Sequence, residues 1–84
     1  MDLNIHRAEQ FDRWISDALA GLRRLQDFRT DFVRASVLRT VQSCVKVALS
    51  YANSLNCADR RNLCLKVLSW IRTDLNRLTE RSAA

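Results

Sequence analysis

The chain has 84 residues, of which 14 are Lys or Arg and 9 are Asp or Glu, giving a formal charge of +5 and a pI near 9.9. That length holds one small domain spanning 1–84, and the absence of Pro with a single glycine, Gly21, excludes a turn-rich β-sandwich or a collagen-like chain. At 48% apolar and 27% charged residues the composition is that of a globular fold, not of a disordered segment. All but two of the basic residues, Lys46 and Lys66, are Arg, the side chain whose planar fork suits phosphate and carboxylate.

The first predicted element covers about residues 3–27. Ala8, Ile15 and Leu22 recur at one heptad position and Phe11, Ala18 and Leu25 at another, with Leu19 widening the stripe. Asp27, Thr30 or Asp31 can each cap the next helix. That second helix is expected over about 31–55. Val37, Val41, Cys44, Val45, Ala48, Ala52 and Leu55 line one face, with Leu38 and Leu49 at its flanks. It is the most apolar of the three and hence the expected centre of the fold. A break follows at Asn53–Asp59, where Asn53 or Asn56 suits a left-handed cap and Asn56 with Asp59 resembles a capping pair.

The third helix, about 58–79, aligns Cys64, Val67, Leu68, Ile71, Leu75 and Leu78, and the terminal Glu80–Ala84 is expected to fray. The short connections imply antiparallel neighbours, so the fold expected is all-α: a helical hairpin plus a third helix. Trp14, Phe32, Val47, Tyr51, Leu65 and Trp70 lie off the stripes, which favours a homodimer that covers them. Arg34 falls on the apolar side and is expected to snorkel or to pair with an acid near the first turn.

Met1 leads into a mixed helix without the apolar core of a signal peptide, and no apolar run is long enough to cross a bilayer. Cys57 and Cys64 are seven residues apart, roughly 10 Å along a helix and beyond disulfide reach. With Cys44 they make an odd set, which points to reduced thiols and a cytoplasmic protein.

Catalytic signatures are missing. The single histidine, His6, lies near the terminus, no CxxC, HExxH, GxSxG or glycine-rich phosphate loop occurs, and the aspartates are scattered. Cys44 and Cys64 fall on apolar stripes. No metal pattern joins the cysteines to His6, so neither an enzyme nor a cofactor is expected.

The second helix carries the distinctive feature. From Phe32 to Ala58 there is no Asp or Glu, while Arg34, Arg39 and Lys46 remain. At 100° per residue its outward side presents Ser36, Arg39, Ser43, Lys46, Ser50, Asn53 and Ser54, with Thr40 at the border. Hydroxyls and amides can bond phosphate oxygens and ribose hydroxyls, and the cations add counterion release. Arg60 and Arg61 can prolong this band beyond the break.

The residues Glu9–Ile15, Gln26–Asp27, Val33–Arg34 and Cys44-x-Lys46, with the apolar register of Leu38, Val41, Cys44 and Val45, resemble the small double-stranded-RNA-binding suppressors of RNA silencing found in nodaviruses. The resemblance covers roughly the first 55 residues. It implies a homodimeric four-helix bundle made from paired hairpins. The second helix of each subunit would lie along an RNA duplex and contact its backbone and 2′-hydroxyls without sequence preference, as A-form helices are generally read. Carried over by position, the contacting residues are Ser36, Thr40, Ser43, Cys44, Lys46 or Val47, Ser50 and Ser54, close to the band found from periodicity. Ser36 and Ser54 stand where the family carries Arg, and the third helix is longer than the family's closing helix.

The leading expectation is therefore a viral, non-enzymatic double-stranded-RNA-binding protein of the host cytoplasm that shields RNA from silencing nucleases. The alternative is a small phage or bacterial protein-interaction module or inhibitor that docks on a larger target through its off-stripe aromatic residues. Whether Trp14 and Trp70 are buried in a dimer or exposed for a partner stays open. A DNA-binding helix-turn-helix fits less well, because these helices are long and their breaks lack the usual glycine turn.

Overall fold

The computed structural model describes residues 3–83, with side chains described for 3–81. Three α-helices follow one another: α1, Leu3–Arg23; α2, Asp31–Ser54; and α3, Ala58–Ala83. No strand occurs among the described residues. Among the described residues, no helix is long and apolar enough to cross a membrane.

The first helix stops at Arg23, short of the expected 27. A 3-10 turn over Leu25–Asp27 follows, closed by bonds from Asp27 N–H to Arg24 C=O (2.9 Å) and Phe28 N–H to Leu25 C=O (3.2 Å). These tight i→i+3 bonds let the chain reverse in a few residues. Of the three cap candidates, Thr30 is used: its hydroxyl accepts from the Val33 N–H at 3.3 Å. Arg34 is in no ion pair among the described residues. Its Nε donates to the Phe28 carbonyl at 2.8 Å, tying the turn to α2.

Between α2 and α3 the reversal is a Schellman motif. Asn56 adopts φ 53°, Cys57 N–H bonds Ala52 C=O at 3.2 Å and Asn56 N–H bonds Asn53 C=O at 3.1 Å, as this helix ending requires. Asn56 is therefore the left-handed residue closing α2, and the residue preceding α3 is Cys57. The third helix continues to Ala83, through the segment expected to fray. At its far end Arg81 approaches Asp31 at 3.8 Å. With both side chains substantially exposed, that pair adds little stability.

The middle helix is the keystone, since it packs along both α1 and α3. The core is built from Phe11, Ile15 and Ala18 of α1, Leu38, Val41, Val45, Ala48 and Ala52 of α2, and Cys64, Val67, Ile71 and Leu78 of α3. Gly21 lets α1 approach α2 closely; a Cβ there would lie 2.7 Å from Val41 Cγ2. The result is an elongated body with backbone extents of 53 × 20 × 14 Å.

The off-stripe residues divide. Trp14 and Tyr51 are half-buried against the core of the same chain. Phe32, Val47, Leu65 and Trp70 are exposed, Phe32 and Trp70 to 83% and 54%.

Candidate nucleic-acid interface

Because α1 and α3 both pack on one side of α2, the opposite side of α2 faces outward. Ser36, Arg39, Thr40, Ser43, Lys46, Ser50, Asn53 and Ser54 are all exposed, and Cys44 is half-buried at the edge nearest α1. From Ser36 to Ser54 the band runs about 27 Å along the helix. Phe32 and Val47 interrupt its polarity.

The hydroxyls differ in what they can offer. Thr40 Oγ1 donates to Ser36 C=O at 3.2 Å and Ser43 Oγ donates to Arg39 C=O at 3.2 Å, which is the usual back-bonding of helical Ser and Thr. Their protons are engaged, so they offer lone pairs, suited to a donor such as a ribose 2′-hydroxyl. Ser36, Ser50 and Ser54 make no side-chain bond among the described residues and can donate to phosphate oxygens.

The two arginines beyond the break part company. Arg61 Nε donates to Asn53 Oδ1 at 2.9 Å, joining α3 to the end of the band. Arg60 turns toward α1, with its guanidinium 5.4 Å from the centre of the Phe11 ring and Nη1 3.9 Å from Cys57 Sγ. It lies off the band, contrary to the sequence expectation. Arg60 is drawn toward Phe11 and Cys57 while Arg61 is held at Asn53, so Arg61 is the member of the pair that extends the track.

Sequence reasoning missed Arg72. It shares a groove of about 310 Å³ between α2 and α3 with Gln42, Lys46, Leu65, Leu68 and Ser69. The signal was available only in part: Arg61, Leu65, Ser69, Arg72 and Asn76 form an acid-free stripe at 4/4/3/4 spacing. Which neighbour that stripe flanks cannot be read from its own periodicity.

On the far side a larger groove of about 560 Å³ opens between α1 and α3, lined by Leu19, Leu22, Leu25, Ile71 and Trp70, with Arg23, Asp74 and Arg77 at its rim. Asp74 and Arg77 approach at 3.9 Å. No buried polar or charged residue and no grouping of three metal-ligating side chains occurs among the described residues. Cys44, Cys57 and Cys64 form no disulfide.

No protein-family model, curated protein or solved structure matches this chain.

Proposed function

We propose that this protein is a non-enzymatic, homodimeric double-stranded-RNA-binding protein that recognises the duplex by shape and charge and shields it from silencing nucleases. The observation that carries the reading is the acid-free outward face of α2, whose cations Arg39 and Lys46 and whose Ser and Thr hydroxyls stand clear of the bundle. A polyphosphate strand meets no repulsive carboxylate on that band, and such a surface reads backbone and ribose rather than base edges.

The homodimer draws support from the α1–α3 groove, which is lined by Leu19, Leu22, Leu25 and Ile71, an apolar patch that a second copy can cover. The apolar α1–α3 groove, on the side away from the α2 band, is where a second copy would seat without covering the RNA face.

The test is a gel shift with duplex RNA, duplex DNA and single-stranded RNA side by side. Preference for the RNA duplex is expected, with Arg39→Ala plus Lys46→Ala weakening it while the thermal melt stays in place. A double mutant that binds like wild type sinks the site assignment.

One observation favours a second reading, docking on another protein: Trp70 stands 54% exposed over the α1–α3 groove, and Trp is a favoured interface anchor. Sedimentation separates the two. A dimer that protects Trp70 fits the first reading, and a monomer with Trp70 open fits the second.

A further inference from the structure

The groove between α2 and α3 raises an electrostatic question. Lys46 and Arg72 line it from opposite helices, no acid is among its lining residues, and neither cation is in an ion pair among the described residues. Both side chains are exposed, and an anion seated between two cations that have no acidic partner is attracted by both. The arrangement continues along the same seam. At one end Arg61 is held against Asn53. At the other Arg39 lines a depression with Ala35 and Thr79, where the one acid among the lining residues, Asp31, is approached by Arg81 at 3.8 Å.

We infer that α3 is the second rail of the nucleic-acid site: one phosphate strand lies in the α2–α3 groove, gripped by Lys46 from one side and Arg72 from the other. The inference rests on the duplex-RNA reading and moves its axis from the crest of α2 to the seam with α3. Gln42 and Ser69 supply neutral hydrogen-bonding groups beside the two cations, and Leu65 and Leu68 give the sugar edge an apolar floor.

The experiment compares Arg72→Ala, Arg72→Lys and Lys66→Ala on the full chain, titrated with duplex RNA over a salt series. Lys66 lies on another side of α3, 5.3 Å from the Trp70 ring, so its loss removes the same charge from outside the groove. Loss of one phosphate contact lowers the slope of log K against log salt by about 0.9 in the B-DNA calibration and weakens binding about fivefold at 0.15 M salt. Arg72→Ala is expected to show both changes, Arg72→Lys to keep the wild-type slope, and Lys66→Ala to change neither. Equal losses from Arg72→Ala and Lys66→Ala, or none from Arg72→Ala, overturn the second rail. If Arg39→Ala plus Lys46→Ala still weakens binding in that case, the α2 reading survives alone. If wild type does not bind duplex RNA, both fall.

Discussion

Arg61 Nε donates to Asn53 Oδ1 at 2.9 Å, joining the first turn of α3 to the last turn of α2 across the reversal between them. The bond occupies one of the two lone pairs of Asn53 Oδ1 and holds the Arg61 side chain at the end of the α2 band. On the duplex-RNA reading proposed above, Asn53 is therefore expected to act chiefly by positioning Arg61. Removing Arg61 is expected to reduce duplex binding and the salt slope, while Asn53→Ala added to Arg61→Ala changes binding no further. A double-mutant cycle measures this coupling. Because the bond is exposed, Asn53→Ala should cost under about 1 kcal/mol of stability.

Gly21 and Val41 mark a close approach of α1 to α2. A Cβ on residue 21 would sit 2.7 Å from Val41 Cγ2, and Val41 is buried and stiff at χ1. Overpacking costs about 1–3 kcal/mol, while Gly→Ala within a helix returns about 1 kcal/mol. Gly21→Ala is therefore expected to be net destabilising, by about 1 kcal/mol. For a domain of this size that lowers Tm by about 4–8 °C. Shrinking the neighbour should relieve the clash, so Val41→Ala should cost less on the Gly21→Ala background than in wild type, as thermal denaturation of the four proteins would measure.

The three helices were legible because a buried stripe every three or four residues leaves a clear trace. Ile15, Ala18, Val41, Val45, Ala48, Cys64, Val67 and Ile71 all fall on predicted stripes and are buried. The outward band was legible for the same reason, being the complement of one such stripe. Rotation between neighbours was not. Leu38, read as a flank, is buried, and Val37, read as core, is only half-buried, because the buried sector of α2 faces two helices rather than one. Trp14 and Tyr51 pack against the core of their own chain, a placement set by neighbouring helices that single-helix periodicity cannot locate. Arg72 escaped notice on the same ground: the role proposed for it depends on Lys46, which lines the same groove from the other helix. Arg60 and Arg61 were paired by adjacency in sequence, and the helical turn then sent them to different faces.

Asn56 closes α2 at φ 53°, a conformation that costs ordinary L-residues roughly 1–2 kcal/mol but is open to glycine and less costly for Asn. Asn56→Ala should destabilise by about 1 kcal/mol, and Asn56→Gly should be neutral or stabilising. In urea the midpoint should shift with the m-value unchanged, since the surface exposed on unfolding stays the same. An unchanged midpoint for Asn56→Ala would show that the reversal does not need its left-handed residue.

Cys57 and Cys64 sit in opposite environments. The Arg60 backbone N–H bonding to the Cys57 sulfur is the leading cause holding that thiol below its ordinary value, with the Arg60 guanidinium adding to the effect against a smaller desolvation penalty. Burial pushes the Cys64 thiol up. The signs follow from linkage. The fold favours the Cys57 thiolate, a contribution present above the ordinary thiol value and lost as pH falls through the lowered one. It favours the neutral Cys64 thiol, a contribution present below the ordinary value and lost as pH rises through the raised one. Since the thiolate is the nucleophile, iodoacetamide at neutral pH should label Cys57 first and Cys64 only when the fold opens, as peptide mass spectrometry would read. Arg60→Ala should raise the pH at which Cys57 reacts but leave it below that of Cys57 in the urea-unfolded chain, because the backbone donor remains. Labelling of Cys64 as fast as Cys57 in the folded protein would contradict this account of both sites.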